Sequence, residues 1–321
     1  MEFPLRVPPA IQDILVCPVC KTKLHFSGDS FTCSRSACAA RFPIVNGVPI
    51  LINEENSVFS IADFINQRDT FFDTSHSAAR KSIAALIPGI SKNYKAKQNY
   101  HKFTEALLQQ SSTPRLLVVG GSLLGEGMQS LTAIPQLTLV ETDVALASRL
   151  MLVCDAHDVP FEDASFDGVI AQAVLEHVVD PQRCVAEFHR VLKDDGLVYA
   201  ETPFMQQVHG GRYDFTRFTH LGHRRLFRYF SEVESGAVGG SGMALAWAYQ
   251  YFLLSFARSK PLRSALKAFA HLSAFYLKYF DAWLIDKPAT LDAASGYYFI
   301  GRKAQVPLPD KELIRQYRGL N

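Results

Sequence analysis

The sequence lacks a dominant charge of either sign. Among its 321 residues, 33 Lys and Arg stand against 31 Asp and Glu, a formal net charge of +2. Such a balance does not call for nucleic acid or an acidic surface as a partner, so any basic feature has to be local. A secretory signal is not expected either, because MEFPLRVPPAIQD has no apolar core between a basic start and a small-residue cleavage site. The expectation is a cytoplasmic protein. The uncharged stretch GMALAWAYQYFLLSFA falls short of the ~20 apolar residues that a spanning helix needs. With 48% apolar and 20% charged residues, extended disorder is excluded and a core-forming chain, long enough for two units, is expected.

Cysteines are few, six in all, and four of them cluster early. In a cytoplasmic chain these are ligands or buried thiols rather than disulfides. Cys17, Cys20, Cys33 and Cys38 follow the pattern C-x2-C-x12-C-x4-C. Two tight turns, each carrying two thiolates, suit the tetrahedral demand of a structural zinc ion, with no open coordination position. Between the turns, LHFS and SFTCS read as short strands joined at Gly28-Asp29, and Asn46-Gly47 in RFPIVNGVPILI reads as a hairpin turn. Residues 11–53 resemble the small zinc-ribbon proteins that activate tRNA and translation-factor methyltransferases. The resemblance implies a module that binds and stabilises a catalytic domain. The ribbon domain is assigned to residues 1–54.

From 55 to 112 the pattern turns polar and helical, in FINQRDTFFDTSHSAARKSIAALI and NYKAKQNYHKFTEALLQQ, and connecting helices are expected. Ser111-Ser112-Thr113-Pro114 breaks the pattern, and a second domain is assigned to 113–321. There, RLLVVGG, LTLVETD, LMLVCDA, FDGVIAQ and GLVYAETP alternate with helical stretches. This alternation predicts an α/β fold with a mostly parallel sheet, whose ligands bind beyond the carboxyl ends of the strands. Gly120, Gly121, Asp143, Asp155 and Gln172 each lie at or just past such an end.

The stretch CDAHDVPFEDASFDGVIAQAVLEHVVDPQRCVAEFHRVLKDDGLVYAETP resembles class I S-adenosylmethionine-dependent methyltransferases, in the family that includes quinone-ring and small-molecule enzymes. The likeness runs from Leu116 to about Pro203 and implies a Rossmann-like seven-stranded sheet. It implies that Asp143 holds ribose hydroxyls, that Asp155 and Ala156 read adenine, and that Gln172 faces the methionine part. Gly120 and Gly121 would admit the cofactor close to the backbone, and Glu176-His177 matches the recurring LEHV segment. Two departures stand out. Val118 occupies the place of the family's acid before the first glycine, and the compact glycine motif becomes GGSLLGEG. Glu126 is the candidate to replace that acid.

Methyl transfer from a sulfonium needs mainly in-line positioning, with a base where the acceptor is a hydroxyl or an acidic carbon. His177, His209 and Asp214 are the candidate catalytic residues. ETPF stands where an Asn-Pro-Pro-Tyr signature would imply methylation of amide or exocyclic amino nitrogens. The following QQVHGGRYDFTRFTHLGHRRLF offers Arg212, Arg217, Arg224, Arg225 and Arg228 for a phosphate or carboxylate, or as a solvated helix face.

About sixty residues separate EVESGAV from SGYYFIGRK, and this helical insertion, about 240–290, is expected to overhang the acceptor site because the sixth strand should run parallel to its neighbours. In it, Leu262, Leu266, Phe269, Tyr276, Phe280 and Trp283 fall near one helical stripe, compatible with a helix on a bilayer surface or packed on the core. The leading expectation is a methyltransferase using S-adenosylmethionine, with structural zinc in its ribbon. Its acceptor would be a small or lipid-linked molecule, with peripheral membrane contact through the insertion. One alternative is an rRNA or tRNA methyltransferase with an N-terminal zinc module. Another is a non-catalytic assembly protein with a degenerate methyltransferase fold.

Overall fold

The computed structural model describes residues 3–68, 70, 87–122 and 125–320. The N-terminal module supplies β1 (Leu24–Phe26), β2 (Ser30–Cys33), β3 (Arg41–Val45) and β4 (Val48–Leu51). The larger part supplies β5 (Arg115–Val119), β6 (Thr138–Asp143), β7 (Leu152–Cys154), β8 (Phe166–Gln172), β9 (Leu192–Pro203), β10 (Phe230–Gly239) and β11 (Gly296–Lys303).

Strands β5, β7 and β8 are buried along nearly their whole length, as parallel strands covered on both faces must be. On one face, the helix Ala96–Gln110 sets Tyr100, Phe103 and Leu107 against Leu116, Ile170 and Tyr199. On the other, the helix Pro181–Val191 packs Cys184 and Phe188 against Val169 and Val198. That second helix starts where it does for local reasons: Asp180 accepts the Arg183 amide at 3.1 Å, and Pro181 occupies the first turn, where no amide is needed. Cys154 and Cys184 are buried thiols.

The expected seven-stranded sheet is part of a longer one. Eleven strands follow in the order β1-β2-β3-β4-β7-β6-β5-β8-β9-β11-β10. The junction is β4, which pairs in parallel with β7 through Ile50–Val153 and Leu51–Cys154. All four residues of β4 are buried, because this strand lies between its hairpin partner and the large sheet. In the hairpin itself, Val45 faces Val48, while Asn46 and Gly47 take φ values of 51° and 78°, as a two-residue turn of this hand requires. Further ties come from Val16, whose amide donates to Pro160 O at 3.0 Å, and from the Lys21–Glu187 ion pair at 2.8 Å.

Two other expectations are corrected, and a third falls largely outside the described residues. The sixth strand of the large domain, β10, pairs with β11, which runs antiparallel both to it and to β9, so β10 shares the direction of β9 without touching it. Its carboxyl end still opens on the ligand side, and the helical insertion begins there. The first connecting helix is described only over Ile61–Ile65, and the rest of its sequence lies outside the described residues. The insertion is built of the helices Ser241–Leu254, Lys260–Ala274, Leu277–Leu284 and Pro288–Ala293, so the sequence stripe is divided between two helices. Leu262, Phe269, Tyr276, Phe280 and Trp283 are exposed on them rather than packed on the core. Among the described residues, no helix is long and apolar enough to cross a membrane.

Candidate functional site

The four early cysteines converge. Their Sγ atoms lie within 4.8 Å of one another, with Cys17 to Cys38 at 3.8 Å and Cys20 to Cys33 at 3.4 Å. Four zinc–sulfur bonds of ~2.3 Å require sulfurs roughly 3.8 Å apart, so the set fits a tetrahedral ion. The thiols differ in acidity. Burial pushes Cys17 up to about 12, whereas the Thr22 hydroxyl beside Cys20 draws it down to about 6. The left-handed φ of 56° at Lys21 closes the first turn, and the Lys21 amide returns to Cys17 O at 2.8 Å.

At the carboxyl ends of the parallel strands a cavity of about 500 Å³ opens. Gly120, Asp143, Asp155, Ala156 and Gln172 all line it. Gly120 takes a φ of 77°, and a Cβ there would come within 2.5 Å of Val174 Cγ2, so the turn after β5 is reserved for glycine. Gly121 does not line the cavity; its amide donates to Thr142 O at 2.9 Å and ties the turn to β6. Asp143 accepts the Ser122 amide at 2.9 Å and the Val144 amide at 2.6 Å, and burial raises its carboxyl above the usual range. Asp155 is also buried, which would raise it, but His157 beside it at 2.5 Å prevails and holds it low.

Several wall residues have no signature in the sequence. Ser57 donates its hydroxyl to Asp155 Oδ2 at 2.5 Å, and the adjoining Val58 and Phe59 face the cavity. Glu201, at the end of β9, accepts from Asn93 Nδ2 at 3.0 and 2.9 Å, from Gln172 Nε2 at 2.9 Å and from the Tyr199 hydroxyl. Its burial raises its carboxyl, and it lines the cavity together with Glu126. Glu201 lies at the end of β9, so the strand-end rule could have found it, although it was not among the expected residues; Asn93 depends on a tertiary contact that no local pattern announces.

His177 and His209 meet at the other end of the cavity, their rings edge to face with centroids 5.0 Å apart. Behind them Glu176 is 1% exposed, and burial pushes its carboxyl up to about 8. Burial lowers both histidines. Asp214 does not line the cavity. Burial would raise it, but the Arg217 side chain and the amides of Gly210 and His209, at 3.0 and 2.8 Å, hold it well below the usual carboxylate range. It fixes the loop that carries His209. The arginines expected as anion ligands are mostly committed elsewhere: Arg224 is buried on Glu232 and the carbonyls of Phe227 and Phe230, and Arg225 and Arg228 approach Asp310. The insertion reaches this end, with the Trp247 ring 6.2 Å from that of His209.

Residues 131–200 match the methyltransferase domain family. Ubiquinone/menaquinone biosynthesis C-methyltransferase UbiE of Citrifermentans bemidjiense is 41% identical over 46 residues, which are 14% of this chain and 20% of that enzyme. The chain thus matches a fifth of that relative's length. A UPF0434 protein of Methylobacillus flagellatus is 35% identical over 43 residues, 13% of this chain and 72% of that protein. Among solved structures, phosphoethanolamine N-methyltransferase 2 of Haemonchus contortus, in complex with S-adenosyl-L-methionine, is 16% identical with a TM-score of 0.43, covering 80% of this chain and 62% of that one. Residues 131–200 thus match a methyltransferase domain within an α/β fold, in a chain that also carries a four-cysteine module. The chain belongs to the UPF0434 protein family.

Proposed function

We propose that the chain is an S-adenosylmethionine-dependent methyltransferase whose N-terminal ribbon holds a structural zinc ion. The observation that carries this reading is the cavity at the strand ends, with Asp143, Asp155 and Ala156 along one side and Gln172, Asn93 and Glu201 along the other. Asp143 and Asp155 would hold the ribose and adenine, and Glu201 and Glu126 would face the cationic methionine end, where Val118 offers no charge. When bound, the cofactor supplies a methyl group already activated on a sulfonium. The protein's own part is to orient donor and acceptor and to exclude water. His177 and His209 stand at the acceptor end, and Asp214 positions His209.

The acceptor in this reading is a small or lipid-linked molecule, and the protein works at a bilayer surface from the cytoplasm. Two features support it. The insertion exposes Leu245, Phe252, Phe256, Phe269 and Trp283, while Arg258, Lys260, Arg263 and Lys267 are exposed beside them. Apolar and basic side chains together suit an anionic lipid surface. The test is transfer of labelled methyl from S-adenosylmethionine into a membrane extract, an aqueous metabolite extract and RNA in parallel. Label in the lipid or small-molecule fraction is expected; label confined to RNA would overturn the acceptor class.

A further inference from the structure

The acceptor end holds a feature that methyl transfer alone does not explain. Both oxygens of Glu176 are buried, and neither has a hydrogen-bond partner among the described residues. An orphaned buried carboxylate is costly, so such groups normally mark a missing partner. Two imidazoles point at it: His177 Nε2 lies 3.7 Å and His209 Nε2 3.8 Å from Glu176 Oε1. The ligand atoms of the three side chains all lie within 4.8 Å of one another.

The far side of each ring is set for the same task. His177 Nδ1 is 2.8 Å from Tyr213 O, and His209 Nδ1 is 3.3 Å from Gln207 O and 3.6 Å from Asp214 Oδ2. With Nδ1–H donating to those oxygens, the tautomer places the lone pair of each ring on Nε2, the usual arrangement of metal-bound histidine; Arg217 Nη2 also lies 3.5 Å from His209 Nδ1, but it donates to Asp214 Oδ2 at the shorter 3.0 Å. The loop is shaped to fit: a Cβ on Gly210 would lie 2.5 Å from His177 Nδ1 and Cε1, so only glycine lets His209 close onto His177. Arg217 is engaged by Asp214 and so does not occupy the Glu176 carboxyl, which is left to the two imidazoles.

We propose that Glu176, His177 and His209 bind a divalent first-row transition ion at the acceptor end of the cavity. Two imidazoles and one carboxylate suit zinc or its neighbours, and bonds of ~2.1 Å span the 3.7 and 3.8 Å between Glu176 Oε1 and the two Nε2 atoms. Both histidines line the cavity, so the ion's remaining positions face it. An acceptor oxygen bound there, from a hydroxyl or phenol, would lose its proton more readily through Lewis-acid polarisation. Under this assignment the histidines hold a metal rather than a proton. This last consequence rests on the methyl-transfer reading; metal binding does not.

The experiment is a Co²⁺ titration of the full chain with its ribbon already zinc-loaded, followed by visible absorption. The expected result is d–d bands saturating at one Co²⁺ per chain, without the sulfur charge-transfer bands that exchange into the ribbon would give. Affinity should fall at least tenfold in Glu176→Gln and in His209→Ala, the latter at a partly exposed position where folding is checked by circular dichroism. No bands in the wild type, or equal bands in both variants, would overturn the site. Calorimetry with S-adenosylmethionine on the same wild-type sample separates the two ideas. Cobalt binding without cofactor binding sinks only the methyl-transfer reading, and cofactor binding without cobalt sinks only the metal site.

Discussion

The hydroxyl of Ser57, six residues beyond the end of β4, donates to Asp155 Oδ2 beside the strand-end cavity. Asn53 repeats the tie, its Nδ2 reaching Asp158 Oδ2 at 3.0 Å. The segment that leaves the four-cysteine module therefore supplies Val58 and Phe59 to the cavity wall. Loss of the module should be felt in ligand binding: stripping zinc with a chelator, or Cys20→Ser, is expected to weaken S-adenosylmethionine binding at least tenfold, about 1.4 kcal/mol. Binding and melting curves measured before and after chelation check this. Unchanged affinity would show that β4 and residues 53–59 hold their places without the metal.

The insertion is pinned by one acid. Asp281, fully buried, accepts the amides of Gly240, Gly242 and Met243 at 3.0, 2.8 and 3.0 Å, which caps the helix Ser241–Leu254 from a neighbouring helix. Asp281→Ala would leave these amides buried without an acceptor, at a cost of about 2–4 kcal/mol. Urea unfolding of the variant measures the loss, and a change below 0.5 kcal/mol, on the order of an ordinary surface substitution, would contradict it.

Acid should loosen the fold through His223. It is 2% exposed, and burial pushes its imidazole down to about 3, against ~6.5 in an unfolded chain. A folded value below the unfolded one means that the contribution is complete above ~pH 6.5 and is lost as pH falls toward 3, at about 1.4 kcal/mol per unit. Between pH 7 and pH 5 the wild type should lose roughly 2 kcal/mol from this group. His223→Phe, between the rings of Phe218 and Phe227, should lose correspondingly less. Identical pH profiles for the two proteins would rule this out.

Vesicle cosedimentation addresses the exposed face of the insertion. Binding is expected to anionic vesicles, to weaken in high salt, and to fall at least a hundredfold in Phe252→Ser/Trp283→Ser, since each buried aromatic side chain contributes about 2 kcal/mol. Equal recovery with zwitterionic vesicles, or none with either, would contradict the basic-and-apolar reading.

Much of this architecture is written in local pattern. The alternation from RLLVVGG to GLVYAETP specifies a parallel sheet because each strand is apolar on both faces, and the cysteine spacing specifies a cluster because two tight turns bring thiols together. What the pattern omits is partnership. VPIL reads as one arm of a hairpin, and nothing in its composition says that its other edge joins β7. Arg224 reads as a surface cation, yet it is buried on Glu232. Asn93 lies 108 residues from Glu201, to which it donates twice. Glu176 was visible as part of LEHV, but its orphaned oxygens emerge only once the His209 loop folds over it.

The central claim is that the strand-end cavity binds S-adenosylmethionine. Isothermal titration of the zinc-loaded chain with S-adenosylmethionine and S-adenosylhomocysteine, repeated with Asp143→Ala, tests it most directly. The account predicts one micromolar site per chain, weakened at least tenfold in the variant. A folded wild-type protein that takes up neither ligand would contradict it and favour an assembly role.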